Sequence, residues 1–289
     1  MHKPIIGVTR PLAPVLVGEA YHEQLLFNYD GLGRQLNPVI RAAYVAPENI
    51  EAGSRARSTG VQAQSGFECV TLALQGQLES RDSAGQPQTL DAGDVLWRGT
   101  GRGVLHENRY GEATAARGGT LELLTLWINL PARYKSVEPY RQLIRSAEIP
   151  VLPLPDAAGS ARVIAGEWLG QTGPAETVMP LQLWSLDVAP GKSVTLPLPR
   201  GWYALLLILS GDLSTPYWPN RIDAPQLMIC DSFGTEVEVS TEQGARAVLV
   251  SGRPLDEPLV GRDALVMNTQ EQLDQAAREF ARGAFGHGN

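Results

Sequence analysis

An internal repeat is the feature of this 289-residue sequence that most restricts its possible folds. In the first half, Gly66-Phe67 is followed by an apolar run and by Gly76, ten residues after Gly66. In the second half, Gly201-Trp202 is followed by an apolar run and by Gly211, again ten residues after the first glycine. Because glycine, aromatic residue, strand and glycine occur twice in the same order, the repeat predicts two related β-domains.

The boundary between these domains is predicted in the proline-rich stretch 149–156, because repeated prolines cannot run through a central strand. This divides the chain into an N-terminal domain over residues 1–149 and a C-terminal domain over residues 150–289. The sequence contains 30 glycines and 21 prolines, and its alternating apolar runs are short, which indicates an all-β fold. The C-terminal end differs, because Thr269 and Gln272 form a capping-box pattern that predicts a short helix ending at Gly283.

Charge and composition exclude several classes of partner. The net charge is -7 and no basic cluster occurs, so direct nucleic-acid binding is not expected. We interpret Arg98, Arg102 and Arg109 as solvated loop charges. No apolar run has the length needed to cross a bilayer, and the N-terminus lacks a signal-peptide core, so we expect no membrane association and a cytoplasmic location. The two cysteines, Cys69 and Cys230, are expected to be free buried thiols.

The alternation of side chains along an extended strand predicts where the polar residues at the start of the first repeat lie. Alternate residues of an extended segment share a face, which predicts Gln62, Gln64 and Glu68 together at the mouth of the N-terminal domain. The glycine-rich segment 99–103 superficially resembles a phosphate-binding loop, but no helical pattern follows it. A tight β-turn that returns His106 to the same mouth is therefore the better interpretation.

A series of segments, in order from about Glu51 to Gly286, then carries a family resemblance. In the first half these are Gly66-Phe67-Glu68-Cys69-Val70-Thr71, Ser80-Arg81-Asp82-Ser83-Ala84-Gly85, Gly93-Asp94-Val95 with Trp97, and Gly101-Arg102-Gly103-Val104-Leu105-His106. Later segments are Leu126-Trp127-Ile128-Asn129-Leu130-Pro131, Glu138-Pro139-Tyr140, Glu148-Ile149-Pro150, Gly252-Arg253-Pro254-Leu255-Asp256-Glu257-Pro258 and Val266-Met267-Asn268-Thr269. The chain resembles the pirin family of bicupins. The resemblance implies two tandem cupin β-barrels of the jelly-roll type, here followed by the short C-terminal helix.

The resemblance also implies a metal site in the N-terminal cupin. Pirin-like proteins are implied to hold Fe(II) or a similar divalent ion with two histidines one residue apart, then a histidine and a glutamate one residue apart. The corresponding positions here are Gln62, Gln64, His106 and Asn108. Amide oxygens are weak donors for such an ion, so no metal cofactor is expected. The four side chains are predicted to form either a small-molecule pocket or a hydrogen-bonded polar network that fills the mouth of the barrel. A weak metal site built from His106 with Glu68 and water stays open as an alternative, and Glu107 is the neighbour of His106 along the chain.

Three functions remain open from the sequence. By elimination we favour a metal-free bicupin that binds a small molecule or a protein partner, in a regulatory role that the resemblance to transcription-associated pirins allows. The first alternative is a metal-dependent oxygenase of the quercetin 2,3-dioxygenase type, which the resemblance implies for an intact metal site. The second is a metal-independent enzyme that uses His106 as a general base, oriented by Glu68 or Glu107.

Overall fold

Short apolar runs interrupted by glycine and proline form strands along almost the whole chain. The computed structural model describes residues 1–54 and 57–286, and the three α-helices in this part are short. The all-β prediction is therefore confirmed.

The first half of the chain contains β1 (Ile5–Thr9), β2 (Val15–Val17), β3 (Tyr21–Phe27), α1 (Leu32–Gln35), β4 (Val39–Ile50), β5 (Gln62–Gln64), β6 (Phe67–Gln75), β7 (Leu78–Asp82), β8 (Gln88–Leu90), β9 (Val95–Gly99), β10 (Val104–Tyr110), α2 (Glu112–Arg117), β11 (Gly119–Asn129) and β12 (Tyr140–Ile144). The second half contains β13 (Val151–Pro153), β14 (Gly159–Ala165), β15 (Glu167–Trp168), β16 (Gln171–Thr172), β17 (Leu181–Val188), β18 (Ser193–Pro197), β19 (Tyr203–Thr215), β20 (Trp218–Asp223), β21 (Gln226–Cys230), β22 (Glu236–Ser240), β23 (Ala245–Gly252), β24 (Val260–Arg262), β25 (Leu265–Met267) and α3 (Gln270–Ala281).

Two compact units contain these elements. The first unit consists of Leu12–Ser146 and Leu255–Asn289, and the second of Met1–Pro11 and Ala147–Pro254. The predicted boundary between residues 149 and 150 lies close to the observed division between residues 146 and 147. The prediction differs at the two ends of the chain, because residues 1–11 belong to the second unit and residues 255–289 belong to the first. The repeat could not reveal this, because the assignment of β1 and α3 depends on long-range pairing and packing.

In the first unit, two sheets face one another across a shared core. One sheet has the strand order β12-β9-β6-β11-β4-β3-β2, and the other has the order β5-β10-β7-β8. Apolar residues from both sheets, including Ala73, Leu78, Leu96 and Leu123, form one buried cluster. Burial of such side chains is the main favourable term in folding, and here it fixes the two sheets against each other.

The C-terminal helix belongs to this first unit. Its capping box is present as predicted, with the Thr269 side chain accepting from the Gln272 backbone, and the helix ends just before Gly283. Leu273 of α3 packs in a cluster with Ala63 of β5 and Leu105 of β10. The helix therefore covers the outward face of the two strands that carry the predicted site.

The second unit is built on one large sheet. Its main path runs β1-β21-β19-β23-β17-β14-β13, so strand β13, which contains Pro153, lies at an edge, where a proline is tolerated. The core contains a stacked pair, Trp168 and Trp184, whose ring centroids are 4.6 Å apart. The ammonium group of Lys3 is buried here and donates to the carbonyl oxygens of Trp202 at 2.8 Å and of Gly234 at 3.2 Å. This interaction anchors the N-terminal segment in the second unit.

Two predictions from composition can be compared with the structure. Cys69 and Cys230 are both free and buried, as expected. None of the helices within residues 1–54 and 57–286 is long and apolar enough to span a membrane.

The repeat glycines have equivalent backbone conformations in the two units. Gly66 and Gly76 flank β6 with φ of 88° and 80°, and Gly201 and Gly211 flank the matching part of β19 with φ of 84° and 76°. These angles lie in the left-handed region that glycine adopts without steric cost. The equivalence supports the interpretation of the sequence repeat as two related β-domains.

Substitution of alanine for Gly66 or Gly201, the first glycine of each repeat, should destabilise the protein to different extents. In Gly201→Ala the added Cβ meets no atom within 4 Å, so we expect only the cost of positive φ, about 1–3 kcal/mol. In Gly66→Ala the Cβ would lie 1.8 Å from the carbonyl oxygen of Val266, so the loss should be clearly larger. Urea unfolding of both variants measures the difference, and equal losses would contradict the close packing of the Gly66 turn.

Candidate functional site

The four positions that the family pattern assigns to metal ligands meet at one cavity of the first unit. Strand β10 pairs with β5, so that His106 lies opposite Gln62 and Val104 lies opposite Gln64. Directly paired residues share a face of a sheet, and Asn108 shares the face of His106 because it lies two residues further along β10. Gln62, Gln64, His106 and Asn108 all line a cavity of about 90 Å³.

Residues that the sequence analysis did not single out complete this cavity. Trp127 of β11 lines it together with Arg41, whose guanidinium carbon lies 4.9 Å from the centroid of the Trp127 ring. Arg41 is in turn paired with the carboxylate of Glu23. Tyr21 and Thr59 also line the cavity. Their side chains come from β3 and from the segment before β5, so no local sequence pattern connects them with the four predicted positions.

Asn108 is held in the cavity wall by neutral hydrogen bonds. Its side-chain Nδ2 donates to the hydroxyl of Tyr21 at 3.1 Å, and its backbone N–H donates to Oγ1 of Thr59 at 3.0 Å. Burial raises the pKa of Tyr21, so the phenol is neutral at physiological pH. The buried Oδ1 of Asn108 has no hydrogen-bond partner among the described residues. It is therefore an acceptor open to a ligand.

Gln64 is bound to a buried arginine. Nη2 of Arg98 donates to Oε1 of Gln64 at 3.2 Å, and Arg98 is only 2% exposed. Our interpretation of Arg98 as a solvated loop charge is therefore wrong. Arg98 lies on β9 opposite Cys69 of β6, and the alternation of Leu96 and Arg98 on the inward face was the available signal.

His106 is a neutral hydrogen-bond acceptor on the cavity side. Its Nδ1 lies 3.0 Å from the backbone carbonyl oxygen of Arg81, which can only accept, so Nδ1 carries the proton. Burial lowers the pKa of His106 well below its usual value, the positive charge of Arg98 lowers it further, and the hydrogen bond to Arg81 opposes the shift. The unprotonated Nε2 is then available to accept a hydrogen bond.

Glu68 does not line this cavity. Strands β5 and β6 belong to different sheets, and Gly66 turns the chain between them, so the alternation of residues on β5 does not continue into β6. On β6 the cavity face carries Cys69 and Thr71, whereas Glu68 lies on the other face and accepts from the hydroxyl of Tyr140 at 2.6 Å. The expectation that Glu68 shares a face with the two glutamines is therefore wrong.

Glu107 also points away from the cavity. Its carboxylate accepts from Ser58 and from Nε of Arg109, the latter at 2.9 Å. Burial alone would raise the pKa of Glu107, but these hydrogen bonds and the positive charge of Arg109 lower it overall. Neither Glu107 nor Glu68 is hydrogen-bonded to His106, whose Nδ1 is oriented by a backbone carbonyl group instead.

The side chains at the four family positions do not fit a divalent metal ion. The family positions offer one imidazole nitrogen and three neutral amides, and amide oxygens are weak ligands for such ions. The oxygen of Gln64 already accepts from the positively charged Arg98, which would also repel a dication. In the part of the chain that the structure describes, no three His, Cys, Asp or Glu side chains are grouped so that they could hold a metal.

Comparisons with known proteins agree on one family. The family model described as Pirin matches residues 22–128, and the model described as Pirin C-terminal cupin domain matches residues 183–286. The chain is 34% identical over 283 residues to a Pseudomonas aeruginosa protein named "Putative quercetin 2,3-dioxygenase", covering 98% of both chains. It is 33% identical to human pirin over 219 residues, which cover 74% of this chain and 73% of that protein.

A solved structure shows the same similarity in three dimensions. The crystal structure of a quercetin 2,3-dioxygenase from Acinetobacter baumannii superposes with a TM-score of 0.95. The two sequences are 34% identical, and the match covers 99% of each chain. The prediction of two tandem cupin domains is thereby confirmed.

We expect His106 to be neutral at pH 6.5, where an unperturbed histidine is half protonated. Burial and the charge of Arg98 both disfavour the imidazolium form. Nitrogen-15 NMR of the imidazole, assigned by the loss of its signals in His106→Asn, should show a protonated Nδ1 and an unprotonated Nε2. A doubly protonated ring at this pH would contradict the assigned acceptor role.

Restoring the family ligands should recover metal binding only in part while Arg98 is present. The triple variant Gln62→His, Gln64→His, Asn108→Glu supplies the implied donors, but the buried guanidinium keeps its charge beside position 64. Addition of Arg98→Met should tighten Ni²⁺ or Fe²⁺ binding by about tenfold or more, since each 1.4 kcal/mol of removed repulsion is one factor of ten. Calorimetric titration compares the two variants, and His106→Asn in the same background is the control. Equal affinities would show that Arg98 does not oppose the metal.

Proposed function

The chain belongs to the pirin family, and we propose that the cavity of its first unit binds a small molecule through hydrogen bonds, without a metal ion. The observation that carries this proposal is that three amides occupy the positions of the implied metal ligands, and two of them are already bound to neighbouring protein groups. Gln64 is bound to Arg98, and Asn108 is bound to Tyr21. We assign a binding and regulatory role to this cavity.

Two acceptors of the cavity without a donor indicate what the ligand must offer. Nε2 of His106 and Oδ1 of Asn108 are both acceptors, and no described residue donates to either of them. A buried acceptor without a donor costs about 1–3 kcal/mol, and a ligand that donates to it recovers this free energy. The ligand should therefore carry two hydrogen-bond donors, such as neighbouring hydroxyl groups.

The size of the cavity limits the ligand further. Pockets for drug-sized ligands have volumes of about 300–1,000 Å³. This cavity measures about 90 Å³, so it fits a single small ring or a molecule of similar size. Trp127 adds an apolar side chain to the cavity wall; its ring stacks on Phe67 with centroids 4.1 Å apart, and Arg41 lies over the ring. Aromatic side chains of this kind commonly form the apolar surface of small-molecule sites.

General base catalysis by His106 is less favoured. A carboxylate that orients the imidazole would also stabilise the imidazolium formed after proton transfer. Here the orienting group is the carbonyl of Arg81, and the charge of Arg98 disfavours the imidazolium. Binding of a neutral ligand needs neither proton transfer nor charge on His106, so it fits these surroundings better.

A second candidate is a metal-dependent dioxygenase of the quercetin 2,3-dioxygenase type. The names of two relatives favour it, since each is 34% identical to this chain over nearly its whole length. The candidate requires a metal ion, which the three amides and the nearby Arg98 do not favour. It also requires room for a flavonol, which is much larger than one small ring.

The two candidates give opposite results in one measurement. Elemental analysis of the full chain, purified without chelator or affinity metal, should find far less than one ion of iron, nickel, manganese, copper or zinc per chain. Catechol, which offers two neighbouring hydroxyl donors, should bind this metal-free protein saturably. About one metal per chain would overturn the proposal and favour the dioxygenase.

Matched ligands and variants test the hydrogen bonds directly. 1,2-Dimethoxybenzene has the same ring without donors and should bind at least about tenfold more weakly than catechol, as expected for a lost hydrogen bond of about 1.4 kcal/mol. His106→Phe and Asn108→Val should weaken catechol binding to a similar extent. His22→Asn is the control, because His22 is a half-exposed histidine outside the cavity. Equal affinity in all variants would remove this cavity from consideration.

A further inference from the structure

We propose that Arg98 and Arg141 form a second binding site in the first unit, which takes the carboxylate group of a small organic acid. Strand β12 pairs with β9 so that Arg141 lies directly opposite Arg98. Both side chains line a cavity of about 40 Å³ next to Asp82 and Tyr140. Neither arginine lines the cavity of His106 and Asn108, so this inference does not rest on the proposed function.

The first observation is that both guanidinium groups have buried N–H groups without hydrogen bonds. Arg98 is 2% exposed, yet the only hydrogen bond of its guanidinium to a described residue is the one that Nη2 donates to Gln64. Its Nε and Nη1 are buried and have no hydrogen-bond partner within the described ranges, and the same is true of Nη1 of Arg141. Buried charged groups cost several kcal/mol unless they are paired and hydrogen-bonded. An acceptor from outside the chain would satisfy them.

The second observation is the excess of positive charge. Like charges directly opposite each other on neighbouring strands destabilise a sheet. Asp82 offsets this only in part, because its Oδ1 lies 3.5 Å from Nη1 of Arg141 and also accepts from the backbone N–H of Ala84. Glu68 lies on the other face of the sheet, where it accepts from Tyr140. Among the side chains that line this cavity, two guanidinium groups and one carboxylate therefore leave one positive charge in excess.

The shape of the groups indicates which anion fits. A guanidinium presents its N–H donors in a plane, and a carboxylate accepts two of them in parallel. A cavity of about 40 Å³ has room for a group of a few atoms, since one water needs only about 10–15 Å³ of the same kind of volume. A planar carboxylate satisfies both conditions. A phosphate also accepts two parallel N–H donors of a guanidinium, but it is larger than a carboxylate.

The site is connected to the neighbouring cavity through one side chain. Nη2 of Arg98 holds Oε1 of Gln64, and Gln64 lines the cavity that we propose for the neutral ligand. A carboxylate drawn to Nε and Nη1 of Arg98 would fix the guanidinium and, through it, the orientation of the Gln64 amide. Occupation of the second site should therefore be detectable in the NMR signal of the Gln64 side chain.

The test is a titration of the full chain with sodium formate at constant ionic strength. We expect saturable binding, a shift of the Arg98 Nε–Hε NMR signal and a rise in the unfolding temperature. Arg141→Met, whose parent side chain is 24% exposed, should retain the fold and weaken formate binding by at least about tenfold. Arg102→Met is the matched control, because Arg102 is 55% exposed and paired with Glu138 outside this cavity. It should bind formate like the unmodified chain.

Several outcomes would overturn the proposal. Formate responses that are equal in Arg141→Met and Arg102→Met would show non-specific binding, and so would a chloride titration that reproduces the formate response. A response to phosphate but not to formate or acetate would overturn the assignment to carboxylates. Catechol binding should be unchanged in Arg141→Met, so failure of the carboxylate site and failure of the proposed function can be told apart.

Discussion

The turn at Ser65-Gly66 is the constraint on which the site of the first unit depends. Gly66 has positive φ and lies against the carbonyl of Val266 so closely that no side chain fits. The buried amino group of Lys135 donates to the carbonyl oxygens of Gly66 at 2.6 Å and Val266 at 3.1 Å, and to Oδ1 of Asn129 at 2.6 Å. One amino group thus joins three chain segments at the point where the chain passes from one sheet to the other. Burial lowers the pKa of Lys135 to about 7, so this group is predominantly a cation only below neutral pH.

This turn decides which side chains face the cavity. It separates β5 from β6, so that Gln62 and Gln64 face inward from one sheet and Cys69 and Thr71 from the other. Continuous alternation would have placed Glu68 beside the glutamines and given His106 a carboxylate neighbour. Instead Glu68 binds Tyr140 on the far face of its sheet. The set of side chains in the site therefore depends on the turn at Gly66, which takes the backbone from one sheet to the other and which the pattern of side chains does not reveal.

Sequence patterns predicted the structural features that depend on neighbouring residues, but not those that depend on residues far away in the chain. The conformation of the repeat glycines, the capping box at Thr269 and the edge position of strand β13 all follow from rules that act within a few residues. The burial of Arg98 depends on which face of β9 is covered by the opposite sheet. The assignment of α3 to the first unit depends on contacts with strands more than a hundred and sixty positions earlier, as in the packing of Leu273 near Leu105.

Arg98 connects the two sites that we propose in the first unit. A buried guanidinium is a fixed positive charge that cannot lose its proton, whereas a metal can be exchanged. Burial and the charge of Arg98 both keep His106 neutral, and the hydrogen bond from Arg98 engages the oxygen of Gln64. The cavity of His106 and Asn108 keeps two acceptors without a donor, while Nε and Nη1 of Arg98 are donors without an acceptor among the described residues. The two sites that we propose, one for a neutral ligand with donors and one for a carboxylate, therefore share this single side chain.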